Sequence, residues 1–228
     1  MTAMVTWLMV AAEAREFGGI LKRAGEIRPL TWPSAAFSRE AAWKNSRWFL
    51  IANGPGPKLV ERALGREHSG KPEVDRILSI GFCGALDPAL RIGDIVVSGE
   101  VPNELGASFV RGEVVSVDRV AITVREKCDL RAATGAAVVE MESAAVARKA
   151  REWDVPFGCV RVVSDAAGED LPLDFNRYRD ADGRFERTRI ALAGLGRPFT
   201  VLPGLVRLDQ HCRQAAERLG EFLANCEN

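Results

Sequence analysis

A chain of 228 residues, 47% of them hydrophobic, has the material for one substantial core, and 31 Lys and Arg set against 31 Asp and Glu leave no net charge. That balance supplies no basic field to collect nucleic acid and no acidic tail, so a polyanion-binding role is disfavoured and no nucleic-acid partner is expected. Cys83, Cys128, Cys159, Cys212 and Cys226 form no C-x-x-C pair, and His68 and His211 stand apart from the first three, which predicts reduced thiols in a cytoplasmic protein without a zinc site.

In chain order, the opening MTAMVTWLMVAAEAREF carries an apolar run too short to span a bilayer, with no basic leader or small-residue cleavage site. It reads as a buried strand, Val5 to Ala11. No later run reaches the roughly 20 apolar residues of a transmembrane helix, so no stable membrane insertion is expected. Further strands are predicted at Trp48 to Ala52, Arg76 to Gly81, Asp94 to Ser98, Ala137 to Glu140 and Gly158 to Val163. Helices are predicted at Glu13 to Ala24, Pro57 to Glu67, Met141 to Trp153, Arg184 to Leu195 and Pro203 to Leu223. The last sets Leu205, Leu208, Cys212, Ala215 and Leu219 on one face, ready to pack on a sheet. His211 beside Cys212 on that helix points elsewhere, so the two share no metal. Short β-branched runs alternating with amphipathic ones predict an α/β layer fold. The lack of a Pro/Gly/Ser linker predicts one domain over residues 1–228.

Two carboxylates then fall at element boundaries: Glu142 where a strand gives way to a helix, and Asp165 at the end of Gly158 to Val163. Ligand crevices of open α/β sheets form there. The plainer reading makes Glu142 a favourable first-turn charge and Asp165 a loop cap. Arg161 shifts the balance, because it sits among Cys159, Val160, Val162 and Val163, where a lone charge is expensive. It needs a carboxylate, and Glu140, Glu142 and Asp165 are the candidates, even if such a pair is only structural.

Two glycine-rich turns add to this. Asn53-Gly54-Pro55-Gly56-Pro57 lies between a strand and a helix, where N–H groups about Gly54 can approach an anion. Ile80-Gly81-Phe82-Cys83-Gly84-Ala85-Leu86 ends another strand and lets a ligand come close to the backbone. Each is also an ordinary tight connection.

Taken together, GPGP, GFCGALDPALRIGDIVV, VVEMESAAVARKA and VPFGCVRVVSD resemble, in that order and over nearly the whole chain, the nucleoside phosphorylase and nucleosidase family. EKCDLRAATGAAVVEMESAAVA and GRPFTVLPGLVRL are most similar to its hopanoid-associated phosphorylases. The resemblance implies a three-layer α/β/α fold around a mixed sheet, a homodimer or larger assembly, and a small-molecule nucleoside as partner. It implies no metal or organic cofactor, with phosphate as a possible co-substrate.

By the same resemblance, Asp165 is the general acid at N7 of a purine and Ser164 orients it. Glu142 holds the ribose hydroxyls as oxocarbenium charge develops, and Met141 covers the sugar. Glu140, Phe82, Cys83 and Gly84 complete the substrate wall, with Arg161 as structural support. The attacking group is either phosphate, bound by Gly54 and Arg15, or water activated by Glu16, with Glu13 as the rival glutamate. Both glutamates also suit a solvated first helical turn. Where many family phosphorylases place an arginine and a serine for phosphate, this chain has Ser79 and Phe82. The connection from Asp94-Ile95-Val96-Val97 to Val114-Val115 is short, leaving the base or 5′ side open. That suits a bulky 5′ substituent such as the hydrocarbon of adenosylhopane. A non-catalytic nucleoside-binding protein is one alternative. A dinucleotide oxidoreductase is the other, but Ala11-Ala12-Glu13-Ala14 lacks the G-x-G-x-x-G it needs.

Overall fold

The computed structural model describes residues 4–65, 72–101 and 108–225. His68, Cys226, the end of the predicted helix at Arg66 and Glu67, and Pro102 to Gly106 of the short connection lie outside the described residues. Strand β1 (Val5–Ala11) shows why the layers form. Trp7, Met9 and Ala11 face one layer, with Phe17, Ile20 and Leu219, while Leu8 and Val10 face the other, with Val60, Val146 and Ala150. A strand covered on both faces loses alternation and becomes a continuous apolar run, which is what the sequence has there.

The other strands are β2 (Ile27–Pro29), β3 (Phe37–Trp43), β4 (Ser46–Ala52), β5 (Arg76–Ala85), β6 (Ile95–Gly99), β7 (Val110–Arg111), β8 (Val114–Ser116), β9 (Val138–Glu140) and β10 (Phe157–Asp165). All join one mixed sheet, in the order β2-β3-β4-β1-β5-β10-β6-β7, with β9 on β5 and β8 on β9. β4, β1, β5 and β10 run parallel, so their C-terminal ends open on one side. β6 lies antiparallel to β10, and β9 antiparallel to the end of β5.

The helices are α1 (Gly18–Leu21), α2 (Pro57–Ala63), α3 (Val124–Thr134), α4 (Ser143–Glu152), α5 (Arg187–Leu195) and α6 (Leu202–Ala224). α1 and α6 cover one face of the sheet, and α2 and α4 the other. The central α/β/α arrangement is as expected, and three local expectations change. The helix expected over Glu13 to Ala24 is a 3-10 turn, Ala14–Phe17, followed by the short α1, since Gly18 and Gly19 interrupt it. The second glycine stretch is no turn: β5 runs through it to Ala85, with Gly81 at φ +141°. The helix expected from Met141 begins at Ser143. α3, β2, β3, β7 and β8 were not expected. α3 had a local signal, Thr123 and Glu126 as a reciprocal cap and left-handed Gly135 as its stop. It lacks an apolar stripe, and Lys127 is its one buried residue.

Candidate active site

The strand ends assemble an acidic cluster around one arginine. Arg161, in the middle of β10, is fully buried. Its Nη2 donates to the Glu140 carboxylate and, at 2.6 Å, to Ser79 Oγ. Glu142 Oε2 lies 3.9 Å from the same nitrogen. Nε and Nη1 have no hydrogen-bond partner among the described residues. A Cβ built on Gly81 would meet Glu16 Oε1 at 2.5 Å and Arg161 Nη1 at 2.9 Å, so both groups approach that glycine. Its positive φ and these contacts make glycine the residue that fits here.

The three glutamates have different duties. Glu140 accepts from Ser116 Oγ, from Ser143 Oγ at 2.8 Å, and from the backbone N–H groups of Glu142 and Ser143, both at 2.9 Å. Burial alone would push its carboxyl up, but Arg161 and these donors outweigh burial and hold it below its ordinary value. It is therefore the counter-ion of Arg161 and the anchor of α4. Its place in the expected substrate wall is corrected to that extent: it borders the cavity, yet its oxygens are engaged by protein.

Glu142 precedes α4 without capping it. Its Oε1 accepts from Gly56 N–H at 2.8 Å, which sets aside the plain first-turn reading. Burial first, then the neighbouring Glu140 charge, push it up to about 8 against the pull of Arg161. Glu16 is buried between the N–H groups of Phe82, 2.8 Å from Oε1, and Glu13, 2.7 Å from Oε2. Desolvation raises it despite both donors. Glu13 sits nearer the surface and binds Arg15 at 2.7 Å and Arg187 at 2.9 Å. The solvated-turn reading thus describes Glu13 better than Glu16.

Asp165 stands at the other end of the strand edge. Gly84 of β5 pairs with it, and a Cβ on Gly84 would come within 2.9 Å of Asp165 Oδ2. Ser164 Oγ lies 2.9 Å from Oδ1 and 3.2 Å from the Cys83 carbonyl. Oδ2 pairs with Lys127 Nζ at 2.7 Å. Lys127 was not singled out from the sequence, because nothing in a polar helix marks which of its cations, Arg125, Lys127 or Arg131, turns inward. Along an extended strand, Gly81 and Gly84 are roughly 10 Å apart, so the two carboxylates that approach them stand at separate places on the strand edge.

A cavity of about 770 Å³ joins these ends. Glu16, Glu142, Met141, Ser164, Asp165, Phe82, Cys83, Gly84 and Arg15 all border it, so the fold brings together most of the residues singled out. Burial pushes the Cys83 thiol well up, leaving a neutral wall. Arg15 lies 5.5 Å over the Phe82 ring. Gly54 is the exception: its N–H is given to the Ala12 carbonyl at 2.7 Å, and Gly56 N–H to Glu142. The turn expected to cradle an anion binds a carboxylate of the protein instead. Phe175, Phe185, Ile190 of α5 and Leu202, Leu205 and Val206 of α6 form the apolar part of the cavity wall, an apolar arm, alongside Arg187, Asp209, Gln210 and Arg213 of the same helices. No cluster of His, Cys, Asp and Glu suited to a metal occurs among the described residues, and none of their helices is long and apolar enough to cross a membrane.

This arrangement of layers is shared with solved nucleosidases. The chain matches the 5′-methylthioadenosine/S-adenosylhomocysteine nucleosidase of Neisseria meningitidis, solved in complex with methylthio-immucillin-A, at a TM-score of 0.69 and 18% identity, with 98% of each chain covered. Futalosine hydrolase of Helicobacter pylori matches at a TM-score of 0.67 and 17% identity, over 98% of this chain and 97% of that one. These likenesses define the class of fold. The profile of the phosphorylase superfamily matches residues 99–193. The 5′-methylthioadenosine/S-adenosylhomocysteine nucleosidase of Shewanella sediminis is 32% identical over 143 residues, which are 62% of that protein and 46% of this chain. The chain is thus similar to the phosphorylase superfamily over that segment, and it spans about three fifths of the length of the curated relatives it matches.

Proposed function

We propose that this protein cleaves the N-glycosidic bond of a purine nucleoside carrying an apolar 5′ substituent, with water as the attacking group. The observation that carries this reading is the placement of Glu16 and Asp165 on one cavity, beside Gly81 and Gly84 of the same strand, with Glu142 and Met141 also on its wall. Breaking the bond leaves positive charge on the sugar and negative charge on the base, so it needs anions at one end and a proton or hydrogen bond at the other. Glu142 holds the ribose hydroxyls and gains strength as charge develops. Met141 covers the sugar. Asp165, oriented by Ser164, protonates or hydrogen-bonds to N7 so that the base does not leave as an anion.

Glu16 is the water-activating base. Burial raises its proton affinity above that of an ordinary glutamate, which makes it the stronger base. Hydrolysis fits better than phosphorolysis because Gly54, Gly56 and Phe82 give their N–H groups to protein acceptors. Phosphorolysis is the second reading, favoured by Arg15 and Arg187 on the cavity wall, two cations sharing the single carboxylate of Glu13. The apolar arm supports a hydrocarbon 5′ group of the kind adenosylhopane carries. The homodimer or larger assembly implied by the resemblance belongs to the same proposal.

The test is adenine release from adenosine, 5′-methylthioadenosine and adenosylhopane, with and without phosphate. Release without phosphate is expected. Asp165→Asn should keep nucleoside binding while lowering kcat about 10²–10⁴-fold, the usual share of a positioned acid. A strict phosphate requirement with ribose-1-phosphate as product would establish the second reading, and binding without any turnover would establish a nucleoside-binding protein.

A further inference from the structure

Lys127 is the buried charge that the proposed chemistry leaves without a duty. It comes from α3, on the far side of Asp165 from the cavity, and its side chain is 1% exposed. The ammonium has three hydrogens and three partners. Two are backbone carbonyls, Ala166 at 2.7 Å and Glu169 at 3.0 Å, in the loop that leaves β10. The third is Asp165 Oδ2, at 2.7 Å. A buried ammonium is costly unless every hydrogen is used, and here each is. The two carbonyls fix Nζ, and Nζ in turn fixes one oxygen of Asp165. Ser164 attends the other. α3 itself buries no other side chain.

We propose that Lys127 is the positioning residue for departure of the base, acting through Asp165; this rests on the nucleoside-cleavage reading above. The ion pair as a unit holds the one transferable proton that a neutral aspartic acid would carry, kept on Nζ. When the glycosidic bond breaks, its electron pair passes to the base, the Nζ–H bond to Asp165 Oδ2 breaks, and Oδ2 hands that proton to the base nitrogen, leaving Asp165 a carboxylate again. Lys127 is left as an amine whose two remaining hydrogens still serve Ala166 and Glu169, until solvent restores the third. Lys127 does not border the cavity, so it acts on nothing else there.

The experiment compares a purine nucleoside with a 4-nitrophenyl riboside, whose leaving group departs as a stable anion without protonation. Wild type, Asp165→Asn, Lys127→Met, Lys127→Gln and the double variant Asp165→Asn with Lys127→Met are measured on both. The expected result is a fall of at least 100-fold in the ratio of purine to aryl kcat for each single variant, with no further fall in the double variant. Lys127→Gln, which keeps a donor for the carbonyls, serves if the methionine variant folds poorly. An equal loss on both substrates would make Lys127 a fold residue only and overturn the proposal. So would an unchanged ratio in Lys127→Met or Lys127→Gln when Asp165→Asn lowers it, a result that leaves the nucleoside-cleavage reading standing. A wild-type protein that releases neither purine nor nitrophenolate would overturn both.

Discussion

At Glu142 the requirements of function and stability oppose each other. A glutamate ordinarily titrates near 4.5, whereas burial and the Glu140 charge push this one up to about 8 in the folded chain. Between those values the folded protein holds a proton that the unfolded chain has released. Unfolding then releases a proton, and stability falls as pH rises through that window. Glu142→Gln removes the titration, so the variant should melt higher than wild type above pH 8, with the gain shrinking toward pH 5, while its turnover falls because the ribose hydroxyls lose their carboxyl partner. Thermal melts of both proteins at pH 5, 7 and 8.5 check the sign. The sequence marked Glu142, Asp165 and Arg161 as unusual because charge interrupts apolar strands. It did not divide the work between Glu140 and Glu142, which depends on which carboxylate reaches Arg161 and which reaches Gly56.

Among the elements, α6 has a second task besides covering the sheet. Gly220 packs on α1 so closely that a Cβ there would lie 2.2 Å from the Gly19 carbonyl carbon. Neither backbone can yield without moving the turn that carries Glu16, one residue before Phe17 and two before α1. Gly220→Ala should cost about 1–3 kcal/mol, the usual penalty for overpacking, read as a lower urea midpoint. The apolar periodicity of α6 was plain in the sequence, since Cys212, Ala215, Leu219 and Phe222 follow helical spacing. β1 and β10 were plain for the opposite reason, as nearly continuous apolar runs, broken by Thr6 in β1 and by Arg161, Ser164 and Asp165 in β10. β3 and α3 were not. Only Ala41 of β3 is buried, and only Lys127 of α3, so neither writes its period into the pattern of hydrophobic residues.

For the whole molecule, the consequence lies in how the cavity is shared. Polar groups gather at the parallel strand ends, and the apolar arm comes from α5 and α6, more than 20 residues later in the chain than Asp165. A series of 5′-alkylthioadenosines therefore separates the two halves. Each methylene buried in the arm is worth about 0.8 kcal/mol, roughly a four-fold lower KM, until the arm is filled. A KM independent of chain length from methyl to hexyl would mean that the arm is not the 5′ site.

The sequence by itself determined the layered α/β fold and marked the carboxylates and glycines at the strand ends that meet the cavity, because burial on two faces, glycine at close approaches and charge within apolar strands are local properties that leave local marks. The tertiary structure alone decided that the Gly56 turn serves a carboxylate, that Glu16 rather than Glu13 is enclosed, and that Lys127 stands behind Asp165. Each depends on which groups meet across 37 or more residues of intervening chain, or on which of two neighbouring side chains turns inward. A hydrogen bond or ion pair between distant segments leaves no period in either one.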